Sequence, residues 1–150
     1  MKKVTILMLI LTLAMALTAC TKAKEINKPD WKAQTINGVK VNIKKVNITK
    51  ATDGDEKGKN ILQITLVGKN TSPDAKPIDA FLMTITNKEG KRLANYPSTN
   101  IGATLHPGEQ LTGDAFYVLE GSAPLKATYQ DPDRPKEKAS WKIDDLTGDK

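Results

Sequence analysis

The sequence predicts an all-β fold, an antiparallel sandwich of seven or eight strands, behind a short apolar leader. Three observations carry this. Apolar and polar residues alternate at period two through most of the chain after residue 38. Turn chemistry separates the alternating runs at short intervals: Asp53-Gly54, Asn70-Thr71-Ser72-Pro73, Asn87-Lys88-Glu89-Gly90 and His106-Pro107-Gly108-Glu109. Beyond the leader no stretch shows the i, i+3, i+4, i+7 apolar spacing of an amphipathic helix.

The leader begins with Met1-Lys2-Lys3, followed by 14 residues, 4–17, that carry no charge. At about 1.5 Å of rise per residue such a helix is roughly 21 Å long, short of the roughly 30 Å hydrocarbon core of a bilayer. That length fits the apolar region of a secretory signal. Leu17-Thr18-Ala19-Cys20 then resembles a bacterial lipobox: an aliphatic residue, two small ones, and a cysteine. The resemblance implies cleavage before Cys20 and a diacylglycerol on its thiol. Cys20 is the chain's single cysteine, which favours this reading over an ordinary signal ending in an incidental cysteine. Two acyl chains at about 0.8 kcal/mol per buried CH₂ make a stable anchor. The expected layout is a signal over residues 1–19, a lipid-anchored linker over 20–37, the sandwich over 38–145 and a flexible tail over 146–150. The expected location is the extracytoplasmic face of a bacterial cell membrane. With Cys20 lipidated, the domain has no disulfide and holds together by core packing alone, although its compartment is oxidising.

The 150 residues less a 19-residue leader leave 131, enough for one domain with a substantial core. Of 23 basic residues, Lys2 and Lys3 leave with the leader, so 21 stand against 17 acidic ones. This modest excess, spread along the chain, serves solubility, and it also suits anionic lipid headgroups or wall polymers. Residues 21–37 have no clean period and contain Pro29, so they read as a tether. Trp31 within it is expected to dock on the domain, because a lone exposed indole is costly.

The strands follow in order. Val39, Val41 and Ile43 oppose Lys40, Asn42 and Lys44, and the phase slips at Lys44-Lys45, which predicts a bulge or a change of partner. Residues 51–59 are turn chemistry. In residues 60–70, Leu62, Ile64 and Leu66 form the core face against Ile61, Gln63, Thr65 and Val67. Residues 78–87 are predicted as one strand, with Phe81, Met83 and Ile85 on one face and Ala80, Leu82, Thr84 and Thr86 on the other. A turn at 87–90 leads to a short strand over 91–96, a loop over 97–104 with room for a short edge pairing, and a tight turn at 105–109, where Pro107 presets φ. In residues 110–119, Phe116 and Val118 oppose Leu111, Ala115, Tyr117 and Leu119. Residues 125–130 alternate Leu125, Ala127 and Tyr129, residues 131–138 form an exposed connection, and residues 139–144 turn Trp141 and Ile143 inward. Trp141 and Phe116 are the expected large core fillers.

The order Asn70-Thr71, Phe81, Asn87-Lys88-Glu89-Gly90, Leu105-x-Pro107-Gly108-Glu109 and Gly113-x-x-Phe116-x-Val118 resembles a family of Gram-positive extracytoplasmic lipoproteins of unknown function. The resemblance covers about residues 38–143. It implies an immunoglobulin-like β-sandwich, similar in fold to a secreted mycobacterial antigen family. The family carries no agreed catalytic residues, so none transfer.

Residue chemistry argues against an enzyme. Nucleophilic triads and dyads need a positioned histidine, and the one histidine, His106, lies in a turn beside Pro107. Zinc sites need three or four spaced ligands, and no such spacing occurs. The one methionine beyond the leader, Met83, lies on a core face, which weakens copper handling. Asp53, Asp55 and Glu56 are the candidate calcium ligands, but the EF-hand pattern fails at Lys57 and Ile64. Asp131 with Asp133, and Asp144 with Asp145, are weaker pairs. The core claims most of the seven aromatics, leaving Trp31 and Tyr96 to stack on a ligand, too few for a carbohydrate module or nucleic acid. No catalytic, cofactor-binding or metal-ligating residue is therefore assigned, no cofactor is expected, and Cys20 is the one site residue.

The reading reached is a membrane-anchored, non-enzymatic binding module for a protein or a cell-envelope component, with loops 51–59, 97–104 and 120–124, clustered at one end of the sandwich, as contacts. The alternative is a ligand- or ion-binding accessory lipoprotein serving a transporter.

Overall fold

The computed structural model describes residues 24–26, as backbone, and residues 31–146. The leader, Cys20 and the last four residues of the chain lie outside the described residues. The all-β antiparallel sandwich expected from the sequence is the fold of this chain. The described residues form ten strands rather than the seven or eight expected, the short ones leaving no periodic signal: β1 Lys24–Ile26, β2 Gln34–Ile36, β3 Val39–Lys50, β4 Asn60–Asn70, β5 Lys76–Asp79, β6 Met83–Thr86, β7 Gly102–Leu105, β8 Gln110–Val118, β9 Leu125–Gln130 and β10 Lys138–Ile143.

One layer is the sheet β3–β4–β8, with β1 and β2 both paired to the outer edge of β3. The other layer is β10–β9–β6. The pair β5–β7 forms a third, small sheet. The expected bulge is present: the β3–β4 register shifts between Ile43 and Lys45, so Val46 returns to the core side that Val41 and Ile43 occupy. Leu62, Ile64 and Leu66 of β4 are fully buried and face Met83, Ile85, Ala127, Tyr129, Trp141 and Ile143 of the opposite layer in one cluster. Each such aliphatic side chain contributes about 1.5–3 kcal/mol by leaving water.

Four expectations are corrected. The described residues of the tether, 24–26 and 31–37, belong to the fold. Backbone 24–26 pairs with β3 at Val46 to Ile48, and β2 pairs with β3 at Val39 to Val41. Asn37 and Gly38, both at positive φ, join β2 to β3 in a two-residue hairpin. The strand predicted over 78–87 is broken. Asp79 accepts from the Phe81 backbone N–H at 2.8 Å and caps a 3-10 turn, Ala80–Leu82. The chain thereby changes sheet between β5 and β6, and Phe81 is left 66% exposed. Residues 91–96 do not form a strand. They cross between the layers, bridging Arg92 to Thr86 and Asn95 to Tyr117. The short edge pairing allowed at the end of loop 97–104 is present as β7 against β5. Phe116 lies on the outer face of its sheet, in a satellite cluster with Ala51, Ile61, Val118 and Tyr96. The large buried aromatics between the layers are Trp141, Tyr117 and Tyr129.

Candidate functional site

The seam between the layers is closed by the segment read as a tether. Trp31 is 8% exposed and Trp141 5%. Trp31 Nε1 donates to the Lys142 carbonyl at 3.1 Å, and Trp141 Nε1 donates to the Lys32 carbonyl at 2.8 Å. The Gln34 amide completes the lacing, donating to the Ser140 carbonyl at 2.8 Å and accepting from the Ser140 N–H at 3.4 Å. β2 thus pairs by backbone with one layer and by side chains with the edge of the other. It also occupies the open edge of β10, which would otherwise invite pairing with another chain. The docking expected of Trp31 is what the geometry has. Asn37-Gly38 was the sequence signal for β2, since Asn-Gly beside an alternating run marks a hairpin.

Two concavities flank this seam and share Ser140, Trp141 and Lys142. One, of about 460 Å³, lies between the 86–90 turn, residues 124–126 and β10. Trp141, Pro124 and Leu125 supply its apolar wall, and Lys88, Lys126 and Lys142 supply its cations. The other, of about 340 Å³, is bounded by Trp31, Lys32, Gln34 and Asp144. Lys142 pairs with Asp144 at 2.6 Å. The larger groove has hydroxyls at Thr86 and Ser140 but neither histidine nor carboxylate in its lining. Lysines over an apolar wall suit a ligand with an acidic group and an apolar body.

The loops expected to cluster do so in part. β3 ends and β4 begins at one end of the sandwich, and β8 also finishes there, since Val118 pairs with Ile61. Residues 51–59 and 120–124 share that end, hereafter the near end. The 87–90 turn joins them: Asn87 Nδ2 donates to the Glu120 carbonyl at 3.2 Å and Ser122 Oγ bonds Glu89 at 3.1 Å. The Lys91 ammonium pairs with Glu120 and holds its carboxyl below the usual range. Residues 97–104 run away from this end, because Ile101 bonds Asp114 and β7 pairs with β5.

The candidate ion ligands are not brought together. Asp53 lies at 3.5 Å from the Tyr96 hydroxyl, while Glu56 pairs with Lys59. Among the described residues no three histidine, cysteine or carboxylate side chains form a group able to hold a metal ion. His106 is exposed, and its backbone N–H donates to Glu109 at 2.8 Å. The far end is instead organised by Asn70, which is fully buried. Its amide donates to the carbonyls of Asp74 and Leu105 and accepts from Ser72, tying the 71–75 turn to β7.

No family model matches the chain, and no curated protein matches it. Solved structures share its fold. The yjhA protein of Bacillus subtilis is similar at a TM-score of 0.57 and 15% identity, over 75% of this chain and 95% of that one. The candidate lipoprotein ycdA of Bacillus subtilis aligns at a TM-score of 0.59 and 20% identity, over 82% of this chain and 39% of that one. A conserved hypothetical protein of Bacillus anthracis aligns at 0.56 and 16% identity, over 81% of this chain and 97% of that one. At these identities the likeness is one of fold. Among the described residues no helix is long and apolar enough to cross a membrane.

Proposed function

We propose that this chain is a lipid-anchored lipoprotein of the extracytoplasmic membrane face, acting as a non-enzymatic binding module for a protein or cell-envelope component. The observation that carries the reading is the single cysteine, Cys20, placed as the last residue of a lipobox behind a leader too short to span a bilayer. The candidate lipoprotein among proteins of the same fold supports it. The anchor keeps the domain at the surface and raises its effective concentration there. The groove beside Trp141, with Lys88, Lys126 and Lys142 in its lining, supplies contacts for an acidic cell-envelope component.

Crosslinking on intact cells, with wild type compared to Cys20→Ala, tests this. The expected result is a diacylglyceryl adduct on Cys20 by mass spectrometry and a specific crosslinked partner that the mutant loses. An unmodified thiol, or equal capture by the mutant, refutes anchoring as the mechanism.

One observation favours a second reading, a ligand-binding accessory lipoprotein serving a transporter: the groove of about 460 Å³ falls within the roughly 300–1,000 Å³ of small-molecule sites. Melting temperatures measured against calcium and against small organic anions separate the two, since a bound ligand raises the transition by mass action.

A further inference from the structure

The pairing of β1 decides which way the domain stands. β1 runs antiparallel to β3 with Lys24 opposite Ile48, two residues before β3 ends at Lys50. The chain therefore enters the fold at the near end. β2 lies further along the same edge of β3, toward the far end, where Ile36 is opposite Val39. Four Cα steps separate Cys20 from Lys24, a reach of at most about 14 Å. The sandwich is longer than that: the 11 residues of β4 span about 33 Å at roughly 3.3 Å per step. A lipid on Cys20 can reach the near end while β1 stays paired, but it cannot reach the far end.

We infer that the near end is the surface this protein turns toward the lipid headgroups. Residues 51–59, the 87–90 turn and the 120–124 loop face the bilayer, and the far end, with the 71–75, 106–109 and 131–137 segments, is presented outward. The inference rests on the proposed lipidation of Cys20 and adds an orientation to it. A free linker over residues 21–37 would have reached about 56–61 Å fully extended and left the domain free to tumble. The strand pairing removes most of that slack. Charge does not select the face, because the near end mixes Lys50, Lys57 and Lys88 with Asp53, Asp55 and Glu89. The orientation is set by the short covalent tether and is insensitive to salt, unlike a surface held by screened electrostatics.

The lipidated full chain in phosphatidylcholine–phosphatidylglycerol vesicles provides the test. With Cys20 blocked by its lipid, Lys57→Cys or Asp133→Cys is the one free thiol and takes a fluorophore. A nitroxide carried on the lipid headgroups is the short-range quencher. The expected result is several-fold stronger quenching at position 57 than at position 133, unchanged between low and high salt. Replacing Lys24 and Ile26 by proline removes β1 backbone donors and should bring the two probes toward equal quenching, with tryptophan fluorescence confirming that the sandwich remains folded. Equal quenching in the parent chain, with the lipid on Cys20 verified by mass spectrometry, overturns the orientation and leaves the anchor standing. Absence of the lipid overturns the anchor itself, and the orientation with it.

Discussion

Trp31→Ala tests whether residues 31–36 belong to the domain or merely lead to it. Trp31 is 8% exposed and its indole N–H donates to the Lys142 carbonyl. Truncating a buried tryptophan to alanine costs about 3–5 kcal/mol, and a typical hydrogen bond contributes about 1 kcal/mol net. The position is at the rim of the core, where water can re-solvate the freed carbonyl, so the expected loss is about 3 kcal/mol. For a domain of this size that corresponds to a drop in Tm on the order of 10 °C. Urea unfolding of the soluble mature chain carrying Cys20→Ser, followed by far-ultraviolet circular dichroism, measures it. Trp31→Phe keeps most of the apolar area and should lose only about 1 kcal/mol, the scale of one hydrogen bond. Both tryptophans of the chain sit at this seam, so in Trp31→Ala the remaining Trp141 emission should shift to the red as its Lys32 partner loosens. A loss below about 0.5 kcal/mol, the range of an ordinary surface substitution, refutes the claim that this segment closes the sandwich.

Gly68→Ala should destabilise by about 1–3 kcal/mol through overpacking, because a Cβ there would stand 2.1 Å from the Ile78 Cδ1. Adding Ile78→Val removes that carbon and should recover much of the loss, a coupling that a double-mutant cycle of unfolding energies reads directly. Stability should also fall in alkali. Burial pushes the Tyr129 hydroxyl up to about 12 and raises that of Tyr117, which donates to the Ala80 and Met83 carbonyls at 3.2 Å. The folded chain keeps protons that an unfolded chain releases near pH 10, so this contribution is complete below about pH 10 and is lost as pH rises toward 12, at about 1.4 kcal/mol per unit for each tyrosine. Tyr129→Phe should shallow that slope in unfolding curves taken from pH 9 to 12, and an unchanged slope would remove Tyr129 as its cause.

The near end drew attention in the sequence through its turn chemistry, but its role depends on pairings that no local pattern reveals. The core face of β4 was readable because Leu62, Ile64 and Leu66 alternate without interruption, and the bulge in β3 because two lysines sit where the alternation slips. Phe81 misled because it continues the alternation of Met83 and Ile85. The Asp79 side chain, by capping the backbone, breaks the strand there. Phe116 misled for a different reason. Alternation says which residues share a face, and here the outer face has its own apolar cover from Ala51 and Tyr96.

Sequence alone determined the uncharged run over 4–17, the solitary cysteine after it, the all-β class and the long strands, because each is written in covalent order or in a period of two along one segment. Tertiary structure decided where the short strands β1, β2, β5 and β7 attach, that Trp31 and Trp141 lace the two layers together, and at which end of the sandwich β1 begins. A three- or four-residue strand makes too few local contacts to leave a periodic signature. It exists because its partner is already in place: for β1, β5 and β7 that partner lies beyond an intervening strand, whereas β2 is held by its hairpin to β3.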